Sequence, residues 1–351
     1  MGAPCAHDRA SLGSRPLRVP ADSQRPPRHP LPPDQQSVPP RYIVETWYFS
    51  PLPREIWKQG DGVIDTLYVC EFTLSFYKTK EELERHQKKL TIRHPPGDEI
   101  YRNGDVSVFE IDGEKAKIWC QNLCYVAKMF LDHKYLYYDV DPFLFYVVCE
   151  CDPQGFHIVG YFSKEKESAN AFNLACILTL PQHQRKGYGK FIISFSYALS
   201  KIEQKLGSPE KPLSDLGKVS YESFWARRLL LILQGIRQRK DPEERMVSIQ
   251  DLADSTSFTH ADIKNTLDRL QILRYMQVRG RRDPPVTLHA PRRTLSLANP
   301  LPRPPPQGNY YINVNPKIIE YHLAKCGGEG VPVDPTKIHW TPHLTSDKWF
   351  R

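Results

Sequence analysis

The residues best suited to chemistry lie in the segment Cys176–Lys190, where a buried strand is predicted to lead into a helix. The apolar run Leu174–Leu180 is typical of such a strand, and the turn Gln184-Arg-Lys-Gly-Tyr-Gly189 follows it. Because Gly187 and Gly189 have no side chains, the first N–H groups of the helix are open to an anion, which the helix dipole favours. Three basic residues add positive charge: Arg185, Lys186 and Lys190. The pattern predicts a diphosphate site, although an ordinary strand-to-helix turn of an α/β protein also fits.

The elements that must position this turn form a mixed α/β core. Asp112-Gly113 is a two-residue hairpin signal, which predicts that the strand Asp105–Ile111 returns over Lys115–Trp119. The continuous apolar run Phe143–Val148 indicates a central strand. The remaining predicted elements are a helix at Cys120–Leu131, a turn at Asp152–Gly155, a strand continuing through Tyr161, a strand at Ala171–Leu180 and a helix at Tyr188–Leu206.

The last third of the chain is predicted to be mainly helical, with helices at Ser220–Gln238, Ser248–Asp254 and Thr259–Leu270. Thr259 is a good N-cap, and Asp262 lies three residues after it. This helix-turn-helix-like unit could contact DNA, or it could be a small bundle packed on the α/β core. The pattern of the helices leaves both interpretations open.

Charge and cysteine usage limit the class of protein. The formal net charge is +8 with a pI near 8.9, which suits an acidic partner such as nucleic acid or a nucleosome without requiring one. The 8 cysteines have no disulfide-framework spacing, and no signal peptide or spanning helix is evident. The sequence therefore predicts free thiols in a reducing, intracellular compartment.

Several motifs in order along the chain resemble one family. The turn Gln184–Gly189 resembles the acetyl-CoA loop of GCN5-related acetyltransferases, and with Ala175–Pro181 before it the segment resembles the MYST family of lysine acetyltransferases. Four further segments match that family in the same order: Leu131–Lys134, Tyr137–Val140, Gly160–Ser168 and Ser208–Gly217. The resemblance runs from about residue 41 to 276 and resumes at Tyr310. Within the family, the chain most resembles the MOF and Tip60/Esa1 branches, and its sequence does not distinguish between these two.

The resemblance implies the fold and the division of the chain. We expect a mixed α/β fold with a GCN5-related acetyltransferase core. Four regions are predicted: a disordered Pro/Arg-rich tail at 1–40, an N-terminal lobe at 41–104, the acetyl-CoA-binding core at 105–240 and a C-terminal helical unit at 241–351. Within the last, the Arg/Pro-rich segment 280–307 is longer than the connection usual in the family and is predicted to be an insertion.

The resemblance also implies the roles of the site residues. An amine with a pKa near 10.4 is neutral in only about one molecule in two thousand at pH 7, so acetyl transfer to lysine needs a base. Glu210, in Ser208-Pro-Glu-Lys-Pro212, matches the catalytic glutamate, and Cys176 matches the active-site cysteine. A covalent acetyl-cysteine route stays open, but direct attack with Glu210 alone is favoured. Lys134 matches the lysine that the family autoacetylates.

The acetyl-CoA contacts implied by the resemblance fall on the predicted strand, the turn and the helix after it. They are Ile177, Leu178, Thr179, Gln184, Arg185, Lys186, Gly187, Tyr188, Gly189, Lys190, Phe191, Ile192, Ser214 and Ser223.

The zinc finger of the family is incomplete in this chain. Of four expected ligands, Cys70 and His86 are present, while Thr73 and Leu90 stand at the other two positions. Structural zinc requires four closed tetrahedral ligands, so we expect no bound zinc. Four apolar residues are expected to hold the degenerate finger hairpin instead: Leu67, Phe72, Leu74 and Phe76.

The resemblance predicts a nuclear histone acetyltransferase that acts on histone tails, H4 in particular, and on some non-histone proteins. Its expected partners are nucleosomes and the subunits of a chromatin-modifying complex, with direct DNA contact left open and no membrane. Two alternatives remain from the sequence: a catalytically degenerate MYST-like scaffold, and an acetyltransferase for small-molecule amines on the same core.

Overall fold

The N-terminal part of the chain forms two short strand pairs and one helix. The computed structural model describes residues 18–19, 42–57, 64–135, 137–239, 247–277, 308–312 and 315–342. The pairs are antiparallel and precede the helix: β1 (Arg18–Val19) with β2 (Val44–Glu45), β3 (Tyr68–Val69) with β4 (Phe76–Tyr77), and then α1 (Lys80–Lys89). Apart from β1, the predicted tail at 1–40 lies outside the described residues.

A five-stranded antiparallel sheet supports the site, and its strands lie side by side in chain order. They are β5 (Asp98–Asn103), β6 (Val106–Asp112), β7 (Phe143–Asp152), β8 (Gly155–Glu165) and β9 (Cys176–Thr179). The apolar run at Phe143–Val148 belongs to the central strand β7, as predicted. The predicted turn after it is also confirmed, because Asp152 pairs with Gly155 across the β7–β8 hairpin.

The predicted return strand at Lys115–Trp119 is wrong, because the helix α2 (Lys117–Lys128) begins there. Strand β6 pairs with β5 on one side and with the distant strand β7 on the other, where Asp112 lies opposite Leu144. A Cβ atom on Gly113 would lie 1.9 Å from the carbonyl oxygen of Val140, so glycine is required by the close approach of another segment. The Asp-Gly pair thus marks entry into a helix, which buries one apolar face.

The two faces of β7 contribute to two separate hydrophobic clusters. Leu144, Tyr146 and Val148 join a cluster that includes residues of the long helices α3 (Tyr188–Ile202) and α4 (Asp215–Arg237). The alternating residues Phe145, Val147 and Cys149 join a cluster that includes residues of α2. A strand buried on both faces reads as a continuous apolar run, which explains why the sequence identified this strand.

The C-terminal unit packs on the core, which confirms the packing interpretation of its helices. It contains α5 (Ile249–Thr256), α6 (His260–Arg269), β10 (Leu273–Gln277), β11 (Gly308–Ile312) and α7 (Pro316–Lys325). Phe258, between α5 and α6, contacts the ring of Tyr197 in α3 at 4.6 Å between centroids.

The predicted insertion at 280–307 lies outside the described residues. The strands on either side of it are paired, with Gln277 opposite Gly308. In the described part of the chain, no helix has both the length and the apolar character that a membrane crossing needs.

Candidate active site

Strand β9 is the last strand in the order of the sheet, and it pairs with β8 along one edge. In antiparallel pairing, alternate N–H and C=O groups point away from the partner strand. Ile177, Leu178 and Thr179, the predicted backbone contacts of acetyl-CoA, all lie on this strand. Outward-facing backbone groups of β9 can therefore hydrogen-bond an extended amide-bearing ligand.

The turn after β9 leads into α3 without a side-chain cap. The amide nitrogen of the Gln184 side chain donates to the carbonyl oxygen of Thr179 at 3.1 Å and ties the turn to the strand. Arg185 and Gly187 have φ values of 62° and 96°, which are left-handed conformations. Gly187 is the N-cap residue of α3, and no side chain accepts from the first N–H groups. The helix start on which the predicted anion site depends is thus left without a side-chain cap.

The two glycines of the turn are required for different reasons. A Cβ atom on Gly187 would lie 2.9 Å from Gly330 Cα and Val331 N, so the protein's own packing excludes a side chain there. A Cβ atom on Gly189 would meet Thr179 Oγ1 at 3.5 Å, an ordinary contact. Protein packing therefore does not explain Gly189, whereas a ligand lying against the turn would.

The side chains of the helix start divide between core and solvent. Tyr188 is buried and donates from its hydroxyl to Glu150, and burial together with that hydrogen bond raises its pKa strongly. Phe191 and Ile192 are completely buried, so their side chains belong to the core. Arg185 and Lys186 are exposed. Tyr188, Phe191 and Ile192 can therefore contact a ligand only through their backbone atoms. The side chains of Arg185 and Lys186 can move towards a ligand.

The loop with Glu210 is fastened beside the segment that leads into β9. The backbone N–H of Glu210 donates to the carbonyl oxygen of Leu174 at 2.8 Å, two residues before Cys176. The side chain of Glu210 is exposed. Partial burial and the nearby charge of Glu165 raise the pKa of Glu210, which makes its carboxylate more basic. The candidate base is therefore held near the candidate thiol by main-chain contacts.

This loop is also tied to the C-terminal unit. Lys211, the residue after Glu210, places its Nζ 2.9 Å from Oδ1 of Asp262, a side chain that is almost fully buried in α6. Asp262 also accepts from the hydroxyl of Thr259 at 2.7 Å. The peptide bond between Lys211 and Pro212 is cis. The helical unit thus helps to fix the loop that contains the candidate base.

Cys176 lies at the start of β9 beside a buried lysine. The backbone N–H of Cys176 donates to the hydroxyl of Ser163 at 3.2 Å, and its Sγ is 3.8 Å from Nζ of Lys134. Lys134 is 6% exposed. Burial favours its neutral amine, but interaction with the sulfur atoms of Cys176 and Cys124 outweighs that effect and raises the pKa of Lys134. The structure therefore brings together two residues that the sequence placed 42 positions apart.

Three predicted cofactor contacts have protein partners. Ser214 caps α4 and accepts from the N–H of Gly217 at 3.2 Å. Ser223 and Lys190 both donate to the carbonyl oxygen of Cys326, at 2.7 and 2.9 Å. The segment around Cys326 contacts two residues of the candidate site, and sequence reasoning missed it. The sequence feature that could have indicated this contact is the glycine cluster Gly327-Gly-Glu-Gly330, because glycine permits close approach of one main chain to another.

Two family profiles match this chain. The sequence profile of the MOZ/SAS family matches residues 94–286, and the MYST family zinc finger domain matches residues 40–89. This chain belongs to the MOZ/SAS family. The predicted resemblance and the mixed α/β fold are both confirmed.

Curated MYST proteins from plants and fungi are similar to this chain over most of its length. Histone acetyltransferase of the MYST family 2 from Arabidopsis thaliana is 49% identical over 303 residues, which are 86% of this chain and 59% of the relative. Histone acetyltransferase ESA1 from Saccharomyces cerevisiae is 54% identical over 311 residues, which are 89% and 60%. The chain thus spans about three-fifths of the length of these two relatives.

The residues at the zinc-finger positions of this MOZ/SAS chain do not fit a structural zinc ion. The Thr73 hydroxyl lies 3.1 Å from Nε2 of His86, so a hydrogen bond joins two of the expected ligand positions. Burial lowers the pKa of His86, which keeps its ring neutral near pH 7. Cys70 is completely buried with Phe72 and Leu83, and Leu90 packs against them.

The described residues contain no group of three or more His, Cys, Asp or Glu side chains placed to hold a metal ion. The four apolar residues expected to hold the hairpin are all buried: Leu67, Phe72, Leu74 and Phe76. Packing and one hydrogen bond therefore occupy the positions where the family has its metal ligands.

Proposed function

We propose that this chain transfers the acetyl group of acetyl-CoA to the ε-amino groups of lysines in histone tails, H4 in particular, and in some non-histone proteins. The observation that carries the proposal is the placement of Glu210 beside the segment that leads into β9. The other end of β9 is followed by the turn that leads into the uncapped start of α3. The relatives named as histone acetyltransferases support the reaction and its substrate class. They also support action on chromatin in the nucleus, within a multisubunit complex.

The proposed mechanism is direct attack. The lysine of the substrate gives up a proton to the carboxylate of Glu210, and its nitrogen then forms a bond to the thioester carbonyl carbon. The carbon–sulfur bond breaks, and CoA leaves as its thiol by taking the second proton, which the attacking nitrogen loses as the amide forms. Outward-facing groups of β9 and the first N–H groups of α3 hold the co-substrate during these steps. Cys176 shapes the pocket next to the acetyl group.

We propose in addition that the protein autoacetylates Lys134. Its amine is buried 3.8 Å from the sulfur of Cys176, where the acetyl group is expected. A tryptic digest after incubation with labelled acetyl-CoA should show the label on the peptide that contains Lys134. Absence of label there, with label present on a histone substrate, would rule out this part of the proposal.

The decisive experiment uses purified protein, labelled acetyl-CoA and a histone octamer, with the modified lysines mapped by mass spectrometry. The variant Glu210→Gln should reduce the rate by about a hundredfold or more, because a positioned base contributes that order of acceleration. The matched control is Glu167→Gln, which removes an exposed carboxylate from a nearby loop. Equal rates for wild-type protein and Glu210→Gln would eliminate Glu210 as the base.

The two alternatives have distinct outcomes. A catalytically degenerate scaffold would leave the octamer unlabelled with every variant, but the candidate residues Glu210 and Cys176 and the relatives' names argue against it. An acetyltransferase for small amines would label polyamines in preference to histone peptides. A panel of both substrate types with one protein preparation separates these outcomes.

A further inference from the structure

A glycine-rich loop near the C-terminus, Cys326–Gly330, lies against the start of α3. Besides its bond to Cys326, Lys190 Nζ donates to the carbonyl oxygen of Gly328 at 2.6 Å. A Cβ atom on Gly330 would lie 2.8 Å from the carbonyl oxygen of Gly187, so the two main chains touch. The loop thus borders the same turn as the proposed diphosphate site.

Arg227 approaches this loop from α4. It lies one helical turn after Ser223, so both side chains are on the same face of the helix. Nη1 of Arg227 donates to the carbonyl oxygen of Gly327 at 3.0 Å. Its Nε atom is buried and has no hydrogen-bond partner among the described residues. A buried donor without a partner is unfavourable, so the protein by itself does not satisfy the guanidinium group of Arg227.

The two cations at the loop are poorly neutralised by the protein. The pKa of Lys190 is lowered, mainly by burial and secondly by the positive charge of the nearby Arg227. Among the described residues, the carboxylate that reaches Arg227 is that of Glu329, which is 65% exposed and 3.7 Å away. Carbonyl oxygens orient both cations without cancelling their charge. Such a pair favours an anion with more than one negative charge.

We propose that Arg227, oriented by the Cys326–Gly330 loop and paired with Lys190, binds a phosphate group of acetyl-CoA. This inference rests on the proposed function only in taking acetyl-CoA as the co-substrate. The diphosphate and the 3′-phosphate share the chemistry that an arginine–lysine pair recognises. Guanidinium can contact two phosphate oxygens at once, so Arg227 contributes both charge and orientation.

The test compares Arg227→Gln with the matched control Arg228→Gln, which removes the same charge from the next, exposed residue of α4. Equilibrium binding of CoA, measured by calorimetry, should weaken about tenfold for Arg227→Gln, the loss typical of one hydrogen bond to a charged group. The control should bind CoA as the wild-type protein does. The KM for acetyl-CoA should rise by the same factor, while kcat at saturating acetyl-CoA changes less.

A second ligand identifies the phosphate that is bound. With dephospho-CoA, which lacks the 3′-phosphate, the difference between wild type and Arg227→Gln disappears if Arg227 binds that phosphate. The difference persists if Arg227 binds the diphosphate. Either result supports the site, whereas equal CoA affinity of Arg227→Gln and Arg228→Gln overturns it.

Two further variants separate binding from a structural role. Arg227→Lys keeps the charge and should bind CoA more tightly than Arg227→Gln at equal melting temperature. Glu329→Gln removes the carboxylate near Arg227 and should strengthen CoA binding, an effect that a purely structural loop would not produce. Calorimetry needs no turnover, so failure of acetyl transfer in the wild-type protein would refute the proposed function while leaving this measurement valid.

Discussion

Glu210, the proposed base, is a surface carboxylate whose surroundings change its pKa. Its side chain is exposed, yet partial burial and the negative charge of Glu165 both raise its pKa. A base works only in its unprotonated form, so the rate should fall as the pH drops through this raised pKa. The acid limb of the rate profile should therefore lie above the range of an ordinary glutamate.

The variant Glu165→Gln tests this electrostatic argument. Removing the neighbouring negative charge lowers the pKa of Glu210, so the acid limb of kcat/KM should move to lower pH. The exposed neighbour Glu167 provides the control, and Glu167→Gln should leave the profile in place. An unchanged profile for Glu165→Gln would show that Glu165 does not influence the group whose ionisation limits the rate.

The glycines at positions 187 and 189 should respond differently to alanine. At Gly187, a φ of 96° and main-chain atoms 2.9 Å from a Cβ atom oppose a side chain. Gly187→Ala should lower the free energy of unfolding by about 1–3 kcal/mol. Gly189→Ala should leave the melting temperature near the wild-type value and weaken CoA binding. Equal effects of the two variants on stability and binding would contradict this distinction.

At the scale of elements, the β3–β4–α1 hairpin shows how a metal site can be replaced. Cys70, Phe72 and Leu83 are buried together, and the Thr73–His86 hydrogen bond joins the hairpin to α1. Apolar packing of this kind does not require deprotonated ligands or a bound ion. The stability of the hairpin should therefore be independent of zinc.

A chelator titration tests the hairpin directly. EDTA should leave the melting temperature of the wild-type protein unchanged, and Thr73→Val should lower the free energy of unfolding by about 1 kcal/mol through loss of one hydrogen bond. Combining Thr73→Cys with Leu90→Cys supplies four zinc ligands, three cysteines and His86, at the expected positions and should make stability depend on zinc. A chelator-sensitive wild-type protein would show that the hairpin holds a metal after all.

At the scale of the whole molecule, the C-terminal unit serves the site through specific contacts. Lys211 joins the Glu210 loop to the buried Asp262. The Cys326–Gly330 loop follows α7 and accepts hydrogen bonds from Ser223 and Arg227 of α4. The β10–β11 pair ends with Gln277 opposite Gly308, so the end of β10 and the start of β11 already lie side by side. None of these contacts uses residues 280–307.

Replacement of residues 278–307 by Asn-Gly should therefore preserve the fold and the activity of the protein. Two residues of this type close an antiparallel hairpin in a type I′ turn whose twist matches the strands. We expect the melting temperature and the acetyl-transfer rate to stay close to the wild-type values. A replacement by Pro-Pro, which cannot form that turn, is the control and should destabilise the β10–β11 pair. A large loss of activity with Asn-Gly at an unchanged melting temperature would assign a functional role to the insertion.

The sequence by itself determined the features that depend on local pattern. The apolar run of β7, the glycine turn before α3 and the cap at Thr259 each follow from nearby residues. Family motifs added the candidate roles of Glu210 and Cys176, since those motifs are short and contiguous.

Tertiary structure decided the features that depend on distant segments. Lys115–Trp119 was predicted as a strand, but β6 pairs with β7, which leaves those residues to begin α2. The need for glycine at position 187 comes from Gly330, and Lys190 is oriented by Cys326, which is 136 residues away. A pattern of neighbours along the chain contains no information on such approaches, because chain folding alone brings the partners within hydrogen-bond range.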